Sequence, residues 1–151
     1  MLHSLYVTTA WLKYLTAFRH ECSLPGALRK LVIMRVAILN RAPYEVEQHR
    51  SVAIKEGLSE AKIDTLTDWQ NVSLFNDTEC AMLAFTDAMT NQVQVPSEVF
   101  HAVRDSFNDR EIVELTAIVA AHNMVSRFLE ALQVHAHEST ESGSKNNLYK
   151  A

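Results

Sequence analysis

Glu45 and His49 stand four residues apart in Tyr44-Glu45-Val46-Glu47-Gln48-His49, the spacing at which two side chains leave one face of a helix and meet. A carboxylate held against one imidazole nitrogen fixes the tautomer and raises the basicity of the ring, leaving the other nitrogen to take up or deliver a proton. The pair has the make-up of a proton-transfer unit, with His49 as general acid/base, Glu45 orienting it and Tyr44 as a hydrogen-bond donor beside them. Val46, Ala53 and, less directly, Ile54 share the face of His49, which turns the ring inward. A core histidine satisfied by its own helix neighbour shows the same pattern, and spacing alone does not separate the two.

Three further polar residues interrupt apolar runs. Arg35 divides Leu31-Val32-Ile33-Met34 from Val36-Ala37-Ile38-Leu39, where a lone charge is costly. It is either half of a buried ion pair with a Glu of this or another subunit, or the holder of an anionic substrate group. His122 continues the stripe Ile112, Leu115, Val119 and is either a core histidine or a substrate contact. Arg127, on the same segment, snorkels, pairs with Glu130 or reaches a ligand. Glu45 and His49 could supply two metal ligands and His122 a third, but nothing in the spacing fixes that third ligand. His135-Ala136-His137 is a weaker signal still, and neither a metal nor a cofactor is expected. Cys22 and Cys80 stand far apart in neither a CxxC nor a zinc spacing, so a disulfide framework or a paired reactive thiol has no support.

The elements that must position these groups read as helices. Three Gly, three Pro and no Asn-Gly or Asp-Gly pair argue against β-hairpins. Leu5, Leu12, Leu15, Phe18 and Cys22, with Thr9 completing the stripe, predict a helix over about 3–21. Pro25 opens a second one, apolar almost all round from Leu28 to Leu39. After the break Asn40-Arg41-Ala42-Pro43 comes the helix of Glu45 and His49, with Gly57 as its stop. Ser59 caps a short helix through Leu66. A polar loop then runs to Asn76, with Asp77 as the cap of the next helix, whose face is Cys80, Leu83, Ala84 and Ala88. Val95-Pro96-Ser97 starts another, and Asp109 opens the last, apolar on every side from Ile112 to Val134. The sum is an all-α bundle of about seven helices over residues 1–134, with a disordered polar tail at 135–151.

Composition bounds the partners. The 151 residues, 48% apolar, suffice for one domain with its own core. Fourteen basic against eighteen acidic side chains give a net charge of −4, without the cationic run that tracks a phosphate backbone, so nucleic acid is not an expected partner. No signal peptide or membrane anchor is read, and a cytoplasmic setting fits the sparse cysteines. The segments Leu28 to Leu39 and Ile112 to Val134 carry more apolar surface than one small bundle easily covers, which predicts a homo-oligomer.

Taken together, Leu24-Pro25, Leu28-Arg29-Lys30-Leu31-Val32-Ile33-Met34-Arg35-Val36-Ala37, Tyr44-Glu45 with His49, and Ala53 with Gly57-Leu58-Ser59 resemble the carboxymuconolactone decarboxylase and AhpD-like family. Phe107-Asn108-Asp109-Arg110-Glu111-Ile112-Val113-Glu114-Leu115 and Asn123-Met124-Val125-Ser126-Arg127-Phe128-Leu129 resemble its C-terminal segment, so the likeness covers roughly residues 5 to 134. The resemblance implies an AhpD-like helical bundle assembled as a homotrimer or homohexamer, with active sites near subunit contacts. It also implies one of two chemistries. The thiol branch carries CxxC ahead of the His and a Glu upstream. Here the cysteine positions read Ala42 and Glu45 and the upstream Glu position reads Lys30, which disfavours thiol peroxidase activity. The decarboxylase branch carries Glu-Phe-x-x-His, matched here at Glu45 and His49 but not at Val46, and an Arg two residues after the His, where this chain has Ser51, with Arg50 one position earlier.

The resemblance and the residues together predict a cofactor-independent decarboxylase-like lyase on a small cyclic or keto carboxylic acid of the lactone type. Catalytic roles fall to His49, Glu45 and Tyr44, and substrate binding to Arg35, His122 and Arg127. An isomerase on an enolisable ring compound would use the same parts, and a non-catalytic oligomeric binding protein would keep the helices without needing His49.

Overall fold

The computed structural model of the chain describes residues 3–134; the expected polar tail at 135–151 lies outside them. Seven α-helices form: α1 Leu5–His20, α2 Gly26–Leu39, α3 Pro43–Lys55, α4 Glu60–Thr65, α5 Asp77–Gln92, α6 Ser97–Ser106 and α7 Asp109–Ala131, with a 3-10 turn at Leu66–Asn71 and no strand among the described residues.

The apolar run of α2 makes it the central helix. Every residue from Leu31 to Ala37 is buried, because α3, α5 and α7 all pack on it. One core cluster joins Val32 and Val36 to Met82, Phe85, Val103, Leu115, Ile118 and Val119. A second joins Leu31 and Met34 to Ala53, Leu58, Ile63, Leu66, Trp69 and Leu83. By length and composition the 23-residue α7 is long and apolar enough to cross a bilayer. Ile112, Leu115, Ile118 and Val119 instead lie in the core.

Turn chemistry sets the angle between α2 and α3. Arg41 at φ 55° lets its N–H reach Ile38 O at 3.0 Å and that of Ala42 reach Ala37 O at 2.9 Å, the paired bonds of a Schellman stop. Pro43 then opens α3 at a position whose N–H has no helical partner. The other end of α3 repeats the device with Gly57 at φ 99°, Gly57 N–H donating to Ile54 O and Leu58 N–H to Ala53 O, both at 3.0 Å.

Several expectations shift. The cap of α5 is Asn76, one residue ahead of the expected Asp77, while α7 opens at Asp109 as expected and is capped by Asn108; each Asn closes a reciprocal box with the Glu three residues on, Glu79 and Glu111. The polar loop after Leu66 contains the 3-10 turn, whose Leu66 and Trp69 are buried at the three-residue spacing of that helix. The predicted stripe of α1 divides. Trp11, Leu15 and Phe18 face a cavity, while Leu5 and Tyr6 are 72% and 81% exposed, and no residue of α1 is buried. The excess apolar surface expected on α2 is therefore enclosed within one chain, and α1 carries the exposed apolar face.

Candidate active site

The sharp α2–α3 turn lays the inner face of α3 beside the start of α2 and the middle of α7. Between these three helices and α1 lies a cavity of about 670 Å³. Its walls are mostly apolar, with Trp11, Leu15, Phe18, Ile33, Ile118 and Val125 among them. One wall is polar, formed by Lys30 of α2, Tyr44, Glu45 and His49 of α3 and His122 of α7, with Arg19 and Arg29 also lining the space.

Glu45 is the hub. His49 Nε2 lies 3.4 Å and His122 Nδ1 3.8 Å from its Oε2, and the two rings meet edge to face at 5.6 Å and 80°. Lys30 Nζ lies 3.1 Å from His49 Nδ1. As an ammonium Lys30 donates to Nδ1, which leaves the imidazole proton on Nε2 facing Glu45. Lys30, His49 and Glu45 thus form a continuous relay. At 3.8 Å the approach of His122 is an electrostatic contact rather than a hydrogen bond, and its buried Nδ1 has no hydrogen-bond partner.

The charges are tuned by this enclosure. Burial opposes ionisation of Glu45, but His122 and His49 more than offset it and hold the carboxyl down at about 2. The first turn of α3 adds a favourable helix dipole. Burial lowers the pKa of His122, with Glu45 pulling the other way. Lys30 is also pushed below the ordinary lysine value, chiefly by burial and then by the Arg19 and Arg29 cations, against Glu56 and Glu45.

Not every anticipated site residue arrives here. His49, Glu45, Tyr44 and His122 line the cavity; Arg35 and Arg127 do not. Arg35 is a buried ion-pair residue, but its partner is an Asp of the same chain. Its Nε donates to Asp87 Oδ1 at 2.6 Å, Nη2 to Asp87 Oδ2 at 2.7 Å and Nη1 to Leu66 O at 2.8 Å. With all three of its nitrogens bonded within the chain and its side chain outside the cavity lining, Arg35 is not placed to hold a substrate there. Arg127 is exposed and donates from Nε to Asn40 Oδ1 at 3.2 Å; Asn40 in turn donates to Asn123 at 2.9 Å. It ties α7 to the end of α2.

Lys30, Arg19 and Arg29 were not singled out by sequence reasoning. The available signal was Lys30 at the position where the thiol branch has Glu. The third ligand for a metal, which spacing left undefined, is supplied by the fold: the ligand atoms of Glu45, His49 and His122 all lie within 4.8 Å of one another. Lys30 Nζ already occupies Nδ1 of His49, so a metal at this cluster would meet that ring through Nε2, the atom that also faces Glu45. Neither cysteine lines the cavity. Cys22 Sγ donates to Glu114 at 3.2 Å and Cys80 Sγ to Phe75 O at 3.7 Å, and burial raises both thiols above their ordinary value.

Residues 6–88 match the model of the carboxymuconolactone decarboxylase family. Among similar proteins, the uncharacterized YdfG of Bacillus subtilis is 26% identical over 117 residues, covering 76% of this chain and 80% of its own. The uncharacterized YnjA of Escherichia coli is 29% identical over 123 residues, covering 78% and 65%. A crystal structure of a protein of unknown function from Agrobacterium tumefaciens superposes with a TM-score of 0.84 at 24% identity, covering 88% of this chain and 92% of that one. The debrominase Bmp8, crystallised with 2,3,4-tribromopyrrole, gives 0.74 at 19% identity over 83% and 67%. At these identities the structures establish a shared AhpD-like fold.

Proposed function

The chain belongs to the carboxymuconolactone decarboxylase family, and from that premise we propose that it is a lyase that removes CO2 from a small cyclic or keto carboxylic acid, with His49 as general acid/base. The observation that carries this reading is the polar wall of Lys30, His49 and Glu45 in an otherwise apolar cavity of about 670 Å³. An apolar enclosure strips water from a carboxylate and strengthens every charge interaction within it. Loss of CO2 leaves a carbanion delocalised into a carbonyl, and a positioned acid must protonate it. In this reading His49 delivers that proton through Nδ1, the nitrogen that faces Lys30, Glu45 holds its tautomer and stabilises the imidazolium, and Tyr44 donates towards the developing oxygen. The anion-holding role expected of Arg35 passes to Arg19 and Arg29, which line the cavity.

The test is a panel of β-keto, vinylogous and aromatic ring acids in deuterated buffer, following CO2 release and isotope uptake next to the carbonyl. Release of CO2 is expected. Isotope exchange without CO2 would make the protein an isomerase built from the same parts, and neither would overturn the reading. The proposal includes assembly as a homotrimer or homohexamer, supported by the exposed apolar face of α1, Leu5, Tyr6, Leu12 and Tyr14. A pure monomer by sedimentation at micromolar concentration would contradict it.

A further inference from the structure

Decarboxylation without an organic cofactor needs an electron sink, and a bare ketone is a weaker one than its protonated imine. The relay at the cavity wall contains a group able to make that imine. An activated nucleophile is recognised by geometry: it lies within hydrogen-bond reach of a base, which is itself oriented by a third group. Lys30 Nζ is 3.1 Å from His49 Nδ1, and His49 Nε2 is 3.4 Å from Glu45 Oε2. These are the nucleophile, base and orienting carboxylate of such a triad.

We propose that Lys30 is a covalent catalyst, its Nζ condensing with the carbonyl carbon of a small β-keto acid held in the cavity. This rests on the reading above in that the substrate is a keto acid bound at this wall. Nζ passes a proton to His49 Nδ1, and Glu45 stabilises the imidazolium. The free amine attacks the carbonyl carbon, forming a C–N bond while the carbonyl pair moves to oxygen, which takes the proton back from His49. The carbinolamine, whose nitrogen still carries its second proton and the positive charge, passes that proton through His49 to the departing hydroxyl and expels water, giving a protonated imine. The bond between the α-carbon and the carboxylate then breaks, its electron pair moving into the enamine as CO2 leaves. His49, reprotonated from solvent, protonates the enamine carbon, and water hydrolyses the resulting imine to release the ketone and Lys30. The net change is consumption of one proton and release of CO2, with no oxidant or reductant.

The surroundings make the Lys30 ammonium easier to deprotonate. Lys30 is half-buried in the polar wall of an otherwise apolar cavity, where burial and the Arg19 and Arg29 cations oppose its charge against the Glu56 and Glu45 carboxylates. Desolvation and a neighbouring cation are the two ways in which a lysine is made nucleophilic at neutral pH.

The experiment uses the full-length protein with three probes, acetoacetate, 2-oxocyclohexanecarboxylate and the simple ketone cyclohexanone, each with and without sodium borohydride, followed by peptide mass mapping. The expected result is an irreversible secondary-amine adduct on Lys30 with at least one probe, absent without borohydride and absent in Lys30→Arg. Adducts spread evenly over the surface lysines, or none on Lys30, would overturn the proposal. The ketone probe needs no turnover, so trapping is decided separately from decarboxylation: CO2 release with an unmodified Lys30 sinks the nucleophile and spares the lyase, whereas trapping without CO2 release does the reverse. A melting curve for Lys30→Arg that matches the wild type establishes that lost trapping is not lost folding.

Discussion

Arg35 and Glu45 are equally withdrawn from solvent, each 7% exposed, yet their surroundings differ in kind. The fork of Arg35 is met at Nε, Nη1 and Nη2, and its partner Asp87 also accepts from Trp69 Nε1 at 3.1 Å. Glu45 faces a cavity, and its imidazole neighbours stand at 3.4 and 3.8 Å, with one ring nitrogen unpartnered. Buried polar groups are normally satisfied, so an incomplete set marks a place where something else binds or reacts. The first cluster is scaffold, fixing α2 against α5 and the 3-10 turn. The second leaves hydrogen-bonding capacity unspent beside the cavity, as the proposed substrate site requires.

The comparison breaks most visibly at Asp87. Removing it strands a buried guanidinium, which costs about 3–5 kcal/mol. Asp87→Ala should therefore melt far below the wild type while turnover per folded molecule holds, as denaturant titration and initial rates on the same sample would reveal. Lost turnover at full folding would place Arg35 and Asp87 in the site after all.

Acid titration sharpens the other side. The Glu45 carboxyl sits at about 2 in the folded chain, below an unfolded value of about 4.3. A carboxyl depressed by folding contributes stability present above its unfolded pKa and lost as pH falls through its folded one. The gap in melting temperature between wild type and Glu45→Gln should thus shrink as pH drops from about 4.3 towards about 2. A gap independent of pH in that window would mean the carboxylate is not held by its imidazoles.

Smaller effects are expected away from both clusters. Replacing Cys22 and Cys80 together by Ser should cost about 1 kcal/mol and leave turnover intact, since neither thiol lines the cavity; a folded but inactive double variant would restore thiol chemistry. The smallest effect is expected from exhaustive chelation, which should leave turnover unchanged. Activity lost to a chelator and regained with Zn²⁺ or Mn²⁺ would recast Glu45, His49 and His122 as ligands.

What the sequence made legible follows from range. Glu45 and His49 share one helix, so their meeting is a matter of local geometry, and the helix itself was readable from Pro43 and Gly57. Arg35 was visible as an anomaly, but its partner Asp87 lies on α5, 52 residues away, and no periodicity reports such a pairing. His122 and Lys30 reach His49 and Glu45 only because α7 and α2 pack beside α3. Spacing could name the first of these as a contender but not place it, and Lys30 read as an ordinary charge at the start of an apolar helix. The stripe of α1 misled because its apolar residues cover two faces, one over the cavity and one outward. The cap of α5 was displaced by one residue because Asp77 is as good a cap by type as Asn76; the reciprocal bond that Glu79 accepts from the Asn76 N–H decides between them.

The most direct test of the relay is a double-mutant cycle on turnover with Glu45→Gln, His49→Ala and both together, each normalised to folded protein. Groups that act as one unit are non-additive. Each single change should lower turnover by roughly a hundredfold or more, and the double variant should be little worse than either. Near-wild-type turnover in well-folded His49→Ala, or two losses that simply multiply, would contradict a site in which Glu45 works through His49.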